Sequence, residues 1–423
     1  MAKYVIQGGQ KLSGRVRISG AKNSALKLLA ASLMGNDLSI IRGVPRIKDI
    51  FTMAQVLEVL GAQVEFTGHN DLLVNPTFLN NYVAPYELVS RMRASILVMG
   101  PLLAKLGIAR VAMPGGCNIG SRQIDLHLKG LSMMGASIEQ GHGYIEARTK
   151  GRLKGTVIPL DFPSVGATEN LLMAACMAEG ETVIENAARE PEMGDLAHFL
   201  GKMGAQIEGI GTSTLLIQGV ENLHGAEHRV IPDRIEAGTF MIAAATTGGN
   251  ITLENVVPRF SELVIGKLRD MGVDVLEDGS RLHVSRNEPL EAVDISTLPY
   301  PGFPTDLQAL MMVLLSLAEG VSIVTENVFD NRFIFVNELN RMGARIRVEG
   351  HHAMVYGGAT LSGAPVKATD LRAGAALVVA GLVAEGETEV HDIEHIERGY
   401  ENLDQKLRDL GADIEKVSGE SQF

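Results

Sequence analysis

The chain has 423 residues, room for two or three domains, and is 46% hydrophobic, 21% charged and 4% aromatic, with 47 glycines and no tryptophan. That apolar content excludes a disordered chain, and so few aromatics argue against large sandwiches. Fifty acidic residues against 38 basic ones leave a net charge of −12, which excludes a nonspecific nucleic-acid binder; an anionic ligand must be held by local cations and backbone donors.

In chain order, the opening residues Met1 to Ile6 lack the apolar core and cleavage site of a signal peptide. The first twenty residues carry a strand that could pair with either half of the chain. A Gly after Leu or Met then closes an amphipathic helix six times, at Gly61, Gly135, Gly204, Gly272, Gly343 and Gly411, about 70 residues apart. The alternation after each Gly, as in Ala205 to Glu208 or Ala344 to Val348, predicts a strand with one face in water. A second kind of helix, apolar almost all round, begins after Ser19-Gly20-Ala21-Lys22 and recurs at Leu171 to Ala178, Leu307 to Ala318 and Ala373 to Ala384. Helices without a polar face are buried on all sides, and these fall short of the ~20 residues that span a bilayer. Short turns lead from them to strands such as Thr182 to Ile184 and Ile251 to Leu253.

The expected fold is α/β with helices inside and sheets outside, six units divided three and three near Gly219 to Pro232. Two such lobes imply a ligand cleft between them. Two cysteines cannot form a disulfide framework, so a reducing cytoplasm is expected.

The segment Met113 to Arg122 places Cys117 among three glycines and five residues before Arg122. Its thiol reads either as a nucleophile or general acid, or as an idle thiol in a turn. Cys176, among Leu, Met and Ala, reads as a core residue. Lys22 at a helix N-terminus is a candidate anion site or a solvated charge. The polar starts at Ser164, Thr305-Asp306 and Thr369-Asp370 read as helix caps, and collectively as dipoles suited to phosphate or carboxylate. Arg332 and Arg398, at strand-to-helix junctions, could each hold such an anion or lie solvated. The pairs His224/His228 and His391/His395 lack a metal-site context, and no nucleic-acid platform or Ser-centred elbow is present.

Read together, Gly20-Ala21-Lys22-Asn23, Arg93-Ala94-Ser95, Pro114-Gly115-Gly116-Cys117 through Arg122, Asp125-Leu126-His127, Ser164-Val165-Gly166, Phe303-Pro304-Thr305-Asp306, Asn331-Arg332-Phe333, Thr369-Asp370-Leu371-Arg372 and Arg398-Gly399-Tyr400 make the chain resemble bacterial UDP-N-acetylglucosamine enolpyruvyl transferases over essentially its full length. The resemblance implies two inside-out α/β barrel domains, each a threefold repeat, one of residues 22–230 and one of 1–21 with 231–423. It implies cytoplasmic transfer of enolpyruvyl from phosphoenolpyruvate to the 3-hydroxyl of UDP-N-acetylglucosamine, in peptidoglycan precursor synthesis, with no metal, organic cofactor, nucleic acid or membrane. Oligomeric state is left open.

By the same resemblance, Asp306 matches the base. Cys117 matches a lid thiol with roles in protonation, adduct formation or product release. Lys22, Arg122 and Arg398 match the phosphoenolpyruvate clamp, with Asn23, Arg93, Asp370 and Arg372. The nucleotide-sugar site corresponds to Arg122, Gln123, Ile124, Asp125, Leu126, His127, Ser164, Val165, Gly166, Val328 and Arg332, with Asn23, Arg93 and Asp306. Two positions depart from the family pattern: Gln123 stands where many members have Pro, and Phe162 where some have Lys. The alternatives are 5-enolpyruvylshikimate-3-phosphate synthase, which shares fold and donor, and a silent nucleotide-sugar sensor, which would need neither base nor thiol.

Overall fold

The computed structural model describes residues 2–113 and 124–418. Contacts divide them into two compact units, one of residues 2–19 and 232–418 and the other of 20–113 and 124–231, each with its own hydrophobic core.

Six helices are apolar and buried nearly all round. In the unit of residues 20–231 these are Lys22–Ser32, Met99–Leu106 and Val165–Cys176; in the other they are Arg234–Thr247, Gln308–Leu317 and Leu371–Gly381. The sequence marks two of them less plainly. Arg234–Thr247 carries Glu236 and three threonines among its buried residues, and Met99–Leu106 follows a 3-10 turn, Arg93–Val98. Small residues allow such helices to approach closely: a Cβ on Gly100 would lie 2.3 Å from the Asn170 carbonyl oxygen.

A second set of helices, Lys48–Val59, Asp125–Met133, Pro191–Lys202, Glu262–Asp270, Val336–Arg341 and Leu403–Asp409, buries one stripe. Each ends at one of the six repeated glycines, whose φ angles lie between +87° and +107°. In every case the amide after the glycine donates back to a leucine carbonyl, from Ala62 to Leu57 at 3.0 Å through Ala412 to Leu407 at 3.0 Å. This is the Schellman closure, which satisfies an orphan carbonyl and needs a left-handed residue.

Each unit carries three four-stranded sheets of one design, a parallel edge strand followed by two antiparallel pairings. Thus Val157–Pro159 runs parallel to Glu181–Glu185, which pairs antiparallel with Thr214–Gln218 and through it with Gln206–Glu208. Alternation buries one face: in Glu181–Glu185, Thr182 and Ile184 are buried while the end residues are exposed. Distant segments complete the series. Glu227–Arg229 runs parallel to Ser39–Arg42, and Ser13–Arg17 parallel to Asn250–Glu254. Lys3–Gln7 lies between Glu387–His391 and Asp413–Val417, antiparallel to both. The residues alone allow this first strand to pair with either half of the chain; in the structure it belongs to the unit of residues 2–19 and 232–418.

The glycine register predicts opposite outcomes for two Gly-to-Ala changes. Gly135→Ala meets no atom within 4 Å but sits at φ +94°, and is expected to cost about 1 kcal/mol or more. Gly201→Ala, exposed in helix Pro191–Lys202 with open space at its Cβ, is expected to stabilise by about 0.5 kcal/mol. Urea midpoints at constant slope check both, and equal shifts would overturn the backbone argument.

Candidate active site

In the unit of residues 20–231, the N-terminal ends of the core helices hold an interior network of charge. Lys22 opens its helix with Nζ 2.7 Å from Asp49 Oδ2, the side chains being 11% and 4% exposed, so Lys22 is not a solvated surface charge. Asn23 beside it is exposed. One turn deeper, Lys27 is ion-paired with Glu169 from the neighbouring core helix. Burial pushes the Glu169 carboxyl up to about 7; Glu190 and Glu192 add to this and Lys27 opposes it. Ser24 donates to Asp195, whose other oxygen accepts from His228 Nε2 at 2.7 Å.

His127 lies on Asp125–Met133, buried, with Nδ1 3.0 Å from Asn170 Nδ2. Asn170 Oδ1 accepts from the Gly100 amide at 2.6 Å and its Nδ2 donates to the Ile96 carbonyl. The amide nitrogen is therefore a donor to His127, Nδ1 an acceptor, and the ring proton sits on Nε2. Burial, with Arg93 second, pushes the His127 pKa down to about 4. Gly166 leaves space for the ring: a Cβ there would stand 3.2 Å from Cε1 and Nε2. Ser164 caps the core helix Val165–Cys176, its Oγ accepting from the Ala167 amide at 3.3 Å. Ile124, Leu126 and Val165 are half-buried, and Asp125 is exposed. Cys117, Arg122 and Gln123 lie outside the described residues. Cys176 is fully buried and its thiol is pushed up to about 12, as a core cysteine should be.

In the unit of residues 232–418, Asp306 is the centre. Its Oδ1 accepts from Arg332 Nη2 at 3.0 Å, and its Oδ2 from Arg372 Nε and Nη2 at 3.2 and 3.1 Å. The guanidinium groups are buried, whereas the Asp306 side chain is 26% exposed. Arg332 is thus neither solvated nor free of the protein; it is built into the acid's support. Burial works against charge on Arg372, but Asp306, Tyr400 and Asp233 outweigh it and hold its pKa above the ordinary value. The same guanidinium lies 5.3 Å from the Tyr400 ring centroid, and Tyr400 shares a 2.8 Å hydrogen bond with Thr239.

Asp370 acts as a helix cap: its Oδ1 accepts from the Arg372 and Ala373 amides at 2.9 and 3.1 Å. It thereby aims Arg372 at Asp306 from behind. Arg398 is half-buried after the single turn Glu394–Glu397. The Val328 amide donates to Glu326 Oε1 at 2.8 Å. Sequence reasoning missed Asp49, Glu169, Asp195 and Glu326, each of which reads as an ordinary polar residue until its distant partner is seen. Among the described residues, no cluster of three or more His, Cys, Asp or Glu could hold a metal ion, and no helix is long and apolar enough to cross a membrane.

Residues 6–407 match the family model described as EPSP synthase (3-phosphoshikimate 1-carboxyvinyltransferase). The chain is 58% identical over 420 residues, 99% of its length and all of the relative's, to UDP-N-acetylglucosamine 1-carboxyvinyltransferase 2 of Carboxydothermus hydrogenoformans. It is 57% identical to UDP-N-acetylglucosamine 1-carboxyvinyltransferase 1 of Caldanaerobacter subterraneus, over 97% of this chain and 99% of that one. Among solved structures it is similar to the enolpyruvyl transferase NikO from Streptomyces tendae, with TM-score 0.89, 26% identity and 99% of each chain covered. EPSP synthase from Acinetobacter baumannii shares the fold, with TM-score 0.77 and 18% identity over 99% of this chain and all of that one.

The buried neutral His127 carries a pH signature. Between pH 6.5 and about 4 the unfolded chain binds a proton that the folded one refuses, so stability falls as pH drops through that window, by on the order of 3 kcal/mol. Glu169 acts in the opposite sense between about pH 4.5 and 7, so the difference between variant and parent is the readout. In His127→Gln the urea midpoint is expected to fall less between pH 7 and pH 4 than in the parent, and parallel curves would overturn the assignment.

Proposed function

Because the chain belongs to the EPSP synthase family of enolpyruvyl transferases, we propose that it transfers the enolpyruvyl group of phosphoenolpyruvate to the 3-hydroxyl of UDP-N-acetylglucosamine, releasing phosphate. The family description names a phosphoshikimate acceptor, but relatives at 53–58% identity over nearly the whole chain are named for the nucleotide sugar. Their agreement favours that acceptor over shikimate 3-phosphate, and makes the chain an enzyme of peptidoglycan precursor synthesis. Both substrates are membrane-impermeant anions, which suits a cytoplasmic enzyme.

The reaction is an addition followed by an elimination. The sugar O3 forms a bond to C2 of phosphoenolpyruvate and loses its proton, while the C2–C3 π electrons take up a proton at C3. A proton then leaves C3, the double bond re-forms, and the C2–O bond breaks with its electron pair leaving on phosphate. The chain must therefore supply a base, an acid and a set of cations.

Asp306 takes the proton of the 3-hydroxyl. The observation that carries this role is its geometry: a partly exposed carboxylate with both oxygens fixed by buried guanidinium groups. The two guanidinium groups hold its direction so that little orientation is lost in the transition state. By the resemblance, Lys22, Arg122 and Arg398 are assigned the phosphate and carboxylate of phosphoenolpyruvate, as are Arg93, Asp370 and Arg372; in the structure Arg372 supports the Asp306 carboxylate. The Asp49 carboxylate pairs with Lys22 Nζ at 2.7 Å, although both side chains are largely buried. Cys117 supplies a thiol for protonation, adduct formation or product release. The same resemblance assigns Asn23 hydrogen bonds to the reacting groups, and Gln123 to His127, Ser164 to Gly166, Val328 and Arg332 contacts to the nucleotide sugar.

Phosphate release from phosphoenolpyruvate is expected with UDP-N-acetylglucosamine and not with shikimate 3-phosphate, with the product heavier by one enolpyruvyl group in mass spectrometry. Release with shikimate 3-phosphate alone would overturn the acceptor, and silence with both would favour a binder. In the same assay Asp306→Asn should lower turnover by about a hundredfold or more while nucleotide-sugar affinity stays within about tenfold.

A further inference from the structure

Strand Val321–Thr325 ends just before Glu326, whose carboxylate lies in the interior, the residue being 1% exposed. Its Oε2 accepts from the Thr305 hydroxyl at 2.9 Å. Its Oε1 accepts from the Val328 and Phe329 amides at 2.8 and 3.1 Å. All three donors are neutral, and no ion pair to Glu326 occurs among the described residues. A buried carboxylate without a cation is costly, and a neutral acceptor would be the cheaper way to satisfy two amides.

What the carboxylate does, and a shorter acceptor could not, is reach two separate segments with two oxygens. One is the turn Thr305–Leu307, which carries Asp306 at the head of a core helix. The other is the loop after the strand, which carries Val328. That loop is tied on its far side by Asn327, whose amide donates to Thr297 Oγ1 and whose side chain donates to Ser296 Oγ and the Thr297 carbonyl. Glu326 is the tie on the side of the base.

We propose that Glu326 is a positioning residue for the transfer reaction, fixing the backbone that bears Asp306 relative to the loop that bears Val328. This rests on the reading of Asp306 as base and Val328 as a nucleotide-sugar contact. The two arginines aim the Asp306 carboxylate, and Glu326 sets where its backbone stands. The acid touches no reacting atom and works through Thr305.

Steady-state kinetics of Glu326→Ala, Glu326→Gln and Thr305→Val, with thermal melts of each, test this. Thr305→Val keeps shape and loses only the hydroxyl. Glu326→Gln keeps an oxygen for the two amides and presents a donor that the Thr305 hydroxyl can accept. The expected result is a fall in kcat of about 10- to 100-fold for Glu326→Ala and Thr305→Val, with KM for phosphoenolpyruvate within about threefold. Glu326→Gln should recover to within about threefold of the parent, and the double variant Glu326→Ala/Thr305→Val should be no worse than Glu326→Ala. In Thr305→Val, which alters no charge, the acid limb of the kcat–pH profile should keep its position while the plateau drops.

A folded Thr305→Val with kcat within twofold of the parent, or additive losses in the double variant, would overturn the proposal. If Glu326→Ala does not fold, Thr305→Val decides alone. A parent enzyme that releases no phosphate with UDP-N-acetylglucosamine would overturn the functional reading and this one with it. An active parent with unaffected variants would overturn only the positioning role.

Discussion

A helix with no polar face has to be enclosed. From Gln308 to Ser316 every residue of one core helix is buried, and Ile235 to Thr247 of another are likewise buried. Neither can lie on a sheet with its back to water, as the helices of an ordinary α/β barrel do. The chain answers by placing three such helices in the middle of each unit and turning the sheets outward. The half-wet strands, the amphipathic helices between them and the six left-handed glycines all follow from that placement.

The same enclosure sets the electrostatics. Core helices begin with their orphan amides near the ends of a dry interior, where charge is expensive and strongly felt. Lys22 and Lys27 survive there because Asp49 and Glu169 accompany them, and Arg332 and Arg372 because both close on Asp306. A protein with a net charge of −12 thereby keeps fixed local cations without depending on its overall field. The arrangement also orients them. A guanidinium buried between a carboxylate and an aromatic ring has little freedom left to lose when a substrate arrives.

Much of the architecture was legible because its physical requirement leaves a one-residue mark. Closing a helix through φ near +100° demands Gly, so the six repeats declare their own period. Enclosed helices demand apolar residues on every face, and Leu307 to Ala318 announces itself. The caps at Ser164 and Asp370 were readable for the same local reason. What could not be read is pairing across sequence distance. Glu169 in Thr-Glu-Asn and Lys27 in Leu-Lys-Leu look like isolated charges until two core helices meet. Arg332 and Arg372 were expected near a ligand, and their carboxylate partner Asp306 is far away in the chain. Glu326, between a strand and a turn, has no signature at all, since its importance lies in spanning two loops.

The strand Lys3–Gln7 has a consequence for how the molecule is made. It occupies an interior place in a sheet whose other strands, Pro365–Lys367, Glu387–His391 and Asp413–Val417, leave the ribosome long after it. At about 5–20 residues per second these first residues wait tens of seconds for their neighbours. Residues 20–113 and 124–231, by contrast, form a unit that needs no strand from the later half and can fold as they emerge. During synthesis the nascent chain thus carries a finished unit with an unpaired strand ahead of it. The strand has five residues, and its Lys3 and the Gln7 to Gln10 stretch at its end blunt its tendency to pair with strangers.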